Sequence, residues 1–437
     1  MKKPLGGKSD YHLRVYENRS ELIVPGLDPI IFEEGELSAE AAARSANIVA
    51  QLESGFLEKV LLEASKGNIA LNEKMRAAID GLVGEVTSEV GRALVALLDL
   101  QLVIKAIEPK QSIRLHKGSG RRTGFGWKEG LSMRTIDANF VTPFLRKNKL
   151  LKLNKFGLFM TRSLAENYPY SRVYKAESRG GKEQWLDAID LIETGVIKPR
   201  EALIYMTSQL SNEADEFSTQ ADETILTFEK KRKGITTIEQ AAGLLVEHMR
   251  GSDYAARIME IGMHALMQAL SDLHYLGDLE LVPLSQMRSA NKKHGNVGDI
   301  ELKQGSKIVE AWDAKYEKDY LRDEIDELVD KLTDHESVKR AGFVTSKKVK
   351  VFPEIELKRT DVRESMGTEI VICTFSDWAK DQSSRARQSG AKKEMALANQ
   401  WILAYIETLA LKRTDMAPID EPSIVWLKSF KGILLKS

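Results

Sequence analysis

GNVGDIELKQGSKIVEAWDAKY, residues 295–316, is the stretch on which the fold turns. Two short extended runs flank Gln304-Gly305-Ser306, the composition of a tight turn, so the reading is an antiparallel β-hairpin. Strand side chains alternate between faces, which puts Asp313 and Lys315 on one face and Glu310, Trp312 and Ala314 on the other. Asp299 opens the first strand, at the same end of the hairpin as Asp313 and Lys315. Two carboxylates and an ammonium are thereby gathered at one spot. Acids and a lysine are costly in a buried hairpin unless they are paired or hold something.

That trio has a specific chemical use. Mg²⁺ prefers oxygen ligands and commonly takes one or two carboxylates together with water and substrate phosphate. A bound cation offsets charge on a scissile phosphate and acidifies a water, which a nearby lysine can orient or deprotonate. The order of an Asp, about a dozen residues, then Asp-x-Lys resembles the signature of the PD-(D/E)xK nuclease superfamily. The resemblance puts Asp299 in the first acid position, Asp313 in the second and Lys315 in the lysine position. Gly298 stands where the family has proline, and Asp313 replaces the commoner glutamate. Glu310 is the alternative second acid, but the residue two positions on is then Trp312, where the lysine belongs.

Working outward, the surroundings follow the same pattern. ARIMEIGMHALMQAL, residues 256–270, reads as a helix ahead of the hairpin and offers Glu260, the glutamate that the family often adds from that helix. An acidic amphipathic helix at 321–336 and a strand at 341–346 follow the hairpin. The basic-polar run QMRSANKKHGNVGD, residues 286–299, brings Lys292 and Lys293 to the approach of Asp299. The Met-rich part of the 256–270 helix reads as core. A further strand, EIVICTF at 369–375, carries the chain's one cysteine, Cys373, as an apolar core residue. A long helix is expected over 391–411, with residues 414–437 irregular.

The segment from Arg114 to Lys182 has 16 Lys or Arg against four acids, in a chain whose formal net charge is zero. The local excess therefore has to be balanced elsewhere, and clustering of this kind marks a nucleic-acid surface. Phe125, Trp127, Phe156, Phe159, Tyr168 and Tyr170 interleave with its cations. Arg121, Arg122 and Lys155 are candidates for phosphate contact. Arg134, Asn139, Arg162 and Asn167 carry the donor and acceptor groups that base reading needs. LSMRTIDANFVTPFLRKNKLLKLNKFGLFMTRSLAENYPYS, residues 131–171, is similar in cadence to the segment before the catalytic domain of SacI-type restriction endonucleases. That resemblance implies sequence-specific cleavage of duplex DNA.

Composition sets the outer bounds. At 437 residues the chain exceeds one core, and 43% hydrophobic with 29% charged residues is ordinary for a soluble globular protein. A single cysteine excludes an internal disulfide and fits a reducing cytoplasm. The N-terminal basic residues are followed by no apolar segment, so no signal peptide is expected. ALVALLDLQLVIKAI, residues 93–107, is interrupted by Asp99, Gln101 and Lys105, which makes it a core helix rather than a membrane span. GSGRRTGFGW has no preceding strand for a dinucleotide site, and GGKS at 6–9 lacks the first glycine of a P-loop. The seven histidines form no zinc motif. EKKRK at 229–233 reads as a solvated helix end.

The expected fold is α/β, a PD-(D/E)xK restriction-endonuclease-like core at 251–437. It follows a mostly helical region at 1–110 and a basic DNA-recognition and helical region at 111–250. What the resemblance implies is a Mg²⁺-dependent type II restriction endonuclease, acting on double-stranded DNA as a homodimer beside a cognate DNA methyltransferase. A modification-dependent or repair nuclease on the same fold, or a DNA-binding protein with an inactive centre, are the alternatives.

Overall fold

The computed structural model describes residues 11–67, 69, 71–84, 89–117, 125–160, 164–174, 181–284, 295–388, 394–411 and 422–437. Packing divides the chain into two compact units, 1–216 and 217–437.

The first unit opens with a small antiparallel sheet, β1 (His12–Val15), β2 (Arg19–Ile23) and β3 (Ile30–Glu33). Four helices follow: α1 (Ala39–Glu53), α2 (Phe56–Ala64), α3 (Glu73–Val83) and α4 (Glu89–Ile107). Ser38 caps α1 as its position suggests, its Oγ accepting the Ala41 N–H at 3.0 Å. The polar residues of α4 are used inside the core rather than facing water. Gln101 donates to Ile113 O and accepts from Trp185 Nε1, while Lys105 reaches Gln111 O and Glu193. Asp99 is buried near Asp137, and burial followed by that neighbour's charge pushes its carboxyl up to about 7.

Short helices α5 (Met133–Ile136) and α6 (Thr142–Lys147) flank a π-helical turn at Asp137–Val141. Next come α7 (Lys182–Glu193) and the 33-residue α8 (Pro199–Lys231), which crosses the boundary between the units. Within the basic segment, Trp127, Phe159 and Tyr170 are core residues. They have apolar area to bury and neighbours to bury it against, so stacking platforms are not their role.

The second unit is a layered α/β structure. Helices α9 (Ile238–Arg250) and α10 (Ala255–Asp272) lead into β4 (Glu280–Leu281), β5 (Ile300–Gln304) and β6 (Lys307–Lys315). Then α11 (Arg322–Thr333), β7 (Arg340–Thr345), α12 (Pro353–Met366), β8 (Glu369–Thr374), α13 (Phe375–Gln388), α14 (Glu394–Leu411) and α15 (Ser423–Lys436) complete it. The five strands form one mixed sheet in sequence order, with β4, β5 and β6 antiparallel and β6, β7 and β8 parallel. One face packs through Ile300, Leu302, Trp312 and Val344 onto a core that includes α9, α10, α13, α14 and α15. The other packs through Ala311, Phe343 and Ile370 onto α11 and α12.

Several local expectations are corrected. Of residues 414–437, expected to be irregular, the described part, 422–437, is helical: α15 buries Trp426, Leu427, Phe430 and Leu434 on one face. Helices α12 and α13 were not anticipated; α12 buries only Ile355 and Val362, and so shows little amphipathic signal. Helix α10 starts after Tyr254, which takes a left-handed φ of 59° without a side-chain cap. Cys373 is half-buried rather than buried, and its surroundings push the thiol up to about 12, burial first and nearby acids second. Among the described residues no helix is long and apolar enough to cross a membrane.

Candidate functional site

The expected antiparallel hairpin forms, with a turn one residue shorter than read, because Gln304 joins the ladder. Gly305 and Ser306 make the turn, with Gly305 at φ 63°, a conformation that side chains resist. Ile300 pairs with Trp312 and Gln304 with Lys307, around a bulge between Leu302 and Lys303. Asp299 comes one residue before the first ladder pair, and its carboxyl lies beside that of Asp313, which hydrogen-bonds it. Cross-strand acids repel, and here they are brought to one end of a sheet whose interior is dry.

The Asp299 carboxylate accepts the Ala314 N–H at 2.9 Å. Burial, then the charges of Asp313 and Glu260, hold its pKa well above the usual carboxylate range. Lys315 Nζ lies 2.7 Å from Asp313 Oδ2. Burial works against the Lys315 ammonium, but Asp313, Asp299 and Glu324 outweigh it and raise its pKa, so the group is charged. The structure therefore brings Asp299, Asp313, Lys315 and Glu260 into one electrostatic neighbourhood. Glu260, on α10, is ion-paired with the buried Arg257 one turn earlier.

Glu310 is engaged elsewhere. Its two oxygens receive Arg385 Nη1 and Nη2 at 2.8 Å each, and Trp312 Nε1 also donates to it at 2.8 Å. A buried carboxylate satisfied by a guanidinium fork and an indole has a structural use, which leaves Asp313 as the acid facing Asp299. The sequence reading did not find Arg385, because α13 was not recognised. It also missed Arg257, three residues before Glu260, and Glu301, two residues after Asp299 on the alternating strand.

The fold gives a reason for glycine at position 298. A Cβ at 298 would lie 2.8 Å from the carbonyl oxygen of Trp312 and 3.0 Å from its carbon. Only glycine passes the β6 backbone this closely.

The donors suit a hard divalent cation: two convergent carboxylates whose mutual repulsion a cation would relieve, with water and substrate completing the set. Among the described residues no group of three or more His, Cys, Asp and Glu is arranged to hold a metal ion by itself. The pair, and not a full protein cage, is what the site offers.

Of the proposed DNA contacts, Arg121, Arg122, Arg162, Lys292 and Lys293 lie outside the described residues. Arg134 is exposed and donates to Phe159 O at 3.1 Å. Asn139 and Lys155 are exposed, Lys155 beside the 62% exposed Phe156. Asn167 accepts from Lys117. Some cations of the segment are structural: Arg114 is buried on Asp190, and Arg172 bonds Asp187 and Asp190.

The acid pair has a stability consequence. The folded chain holds a proton on Asp299 across a pH range where the unfolded chain has released it, so stability falls as pH rises through that window. Asn keeps an oxygen for the Ala314 N–H and removes the charge. In EDTA at pH 8, Asp299→Asn is expected to raise the thermal midpoint by about 2–4 °C, the shift given by roughly 1 kcal/mol. Calorimetry should show this gain shrinking at pH 5; a gain of equal size there would contradict the repulsion.

No protein-family model matches the chain, and no curated protein matches it in sequence.

Proposed function

We propose that the protein is a Mg²⁺-dependent endonuclease that hydrolyses phosphodiester bonds of double-stranded DNA at specific sites, with the character of a type II restriction enzyme. The observation that carries this reading is the meeting of Asp299, Asp313 and a charged Lys315 at one end of a hairpin. The order around it supports the reading: a helix bearing Glu260, antiparallel strands, a helix, then a parallel strand.

Asp299 and Asp313 would hold Mg²⁺, which when bound supplies positive charge against the scissile phosphate and a more acidic water. With the negative charge of the pair offset, Asp299 would hold the cation as a carboxylate, its proton passing to solvent. Lys315, fixed on Asp313, would donate hydrogen bonds toward a phosphate oxygen or the attacking water and so assist the attack. Arg257 holds Glu260 beside the pair, in an outer position. Cutting both strands calls for two centres, hence a homodimer; a cognate methyltransferase would protect the host's own sites.

Phosphates carry no sequence information, so specificity has to come from outside the hairpin. Digesting a randomised-site duplex library and sequencing the ends tests this, with one motif expected at the cuts and random ends ending the restriction reading. For affinity, each neutralised phosphate contributes a slope of about −0.9 in log–log salt dependence. Charge reversal of Arg121 and Arg122 is expected to flatten that slope by about 2, measured by fluorescence anisotropy. An unchanged slope would leave these arginines as solvated surface.

A further inference from the structure

The chain entering β5 makes the close pass that brings Asp299 to Asp313, and one buried acid holds it there. The amides of Val297 and Gly298 precede the β5–β6 ladder, whose pairing begins at Ile300. Both donate to a single oxygen, Glu301 Oε1, at 2.6 and 3.3 Å. Glu301 is 4% exposed and, among the described residues, has no ion-pair partner. Its cross-strand neighbour is Ala311, on a sheet face that packs with Phe343 and Ile370. An apolar side chain would fill such a position at lower desolvation cost. A carboxylate there is offset by charge-assisted bonds to backbone N–H groups, and those bonds fix the two residues immediately before Asp299.

We propose that Glu301 is a positioning residue for the acid pair. By accepting the Val297 and Gly298 amides it locks 297–299 over Trp312, so that the Asp299 carboxyl faces Asp313 and the Ala314 N–H. The role rests on the reading of Asp299 and Asp313 as metal-holding acids. Its action passes through backbone geometry alone. Glutamine, which presents an oxygen at the same place, can therefore substitute, while a side chain of similar size without that oxygen cannot.

The test is Mn²⁺ binding to the full chain, followed by electron paramagnetic resonance, with Mg²⁺-dependent cleavage measured in parallel. Loss of a group that orients a metal ligand weakens affinity by about 10–100-fold. Glu301→Leu is expected to show a loss in that range, and Glu301→Gln to bind within about threefold of wild type, on that same scale. Glu301→Asp keeps the charge but is too short to reach the amides; it is expected to weaken binding as Leu does, and covers the case in which the Leu variant does not fold. Wild-type affinity in a folded Leu or Asp variant would overturn the proposal, as would equal losses in Gln and Asp. A wild-type chain that binds no Mn²⁺ would overturn it together with the metal site. If the binding series holds but no DNA is cut, the positioning role stands and the nuclease reading falls.

Discussion

Asp313→Ala is expected to lose at least about 10–100-fold in cleavage rate, since removing an acid of the pair should cost no less than removing an outer partner, while duplex affinity stays near wild type. Asp313 lies beside the Asp299 carboxyl and carries Lys315 at 2.7 Å. Its removal therefore takes away one oxygen donor and frees the lysine at once. The phosphate grip is expected from cations elsewhere in the chain, so binding and cleavage should separate. Single-turnover cleavage with Mg²⁺ and anisotropy in Ca²⁺ measure the two independently. A variant that cuts at the wild-type rate would remove Asp313 from the site.

Glu310→Ala should do the reverse. Breaking a buried ion pair by removing one partner costs about 3–5 kcal/mol. Arg385 is 40% exposed and can return to water, so the lower end, about 3 kcal/mol, applies. Trp312 also loses an acceptor for its indole N–H. The expected result is a marked fall in the urea midpoint, with the specific activity of the remaining folded protein within a few-fold of wild type. Loss of activity in fully folded Glu310→Ala, with Asp313→Ala still active, would move the second acid to 310.

How much of this was legible in the sequence follows from the physics of each element. The hairpin was legible because period-two alternation and a Gly-containing turn mark its two strands, and alternation alone puts Asp313 and Lys315 on one face; the bulge between Leu302 and Lys303, which shifts the pairing, left no such mark. The packing of α10 was legible because Met259, Met263 and Met267 recur at helical spacing, and all three are buried. By contrast α12 fully buries only Ile355 and Val362, leaving no apolar stripe to read. The residues that tune the site escaped for a different reason. Arg385 reaches Glu310 across 75 positions, a pairing that no local pattern encodes. Glu301 looks like an ordinary solvent-facing strand acid until its oxygen is seen on two backbone amides. In the basic segment, composition counted Arg114 and Arg172 as surface cations, whereas Asp190 binds both inside the first unit.

The most direct test of the central claim is to incubate the purified full chain with phage DNA across a Mg²⁺ titration and resolve the products. Discrete fragments are expected to appear with Mg²⁺, to vanish in EDTA, and to be absent for the Asp299→Asn/Asp313→Ala double variant purified in the same way. DNA left intact at every Mg²⁺ concentration, or cut equally by the double variant, would contradict a nuclease centre at Asp299, Asp313 and Lys315.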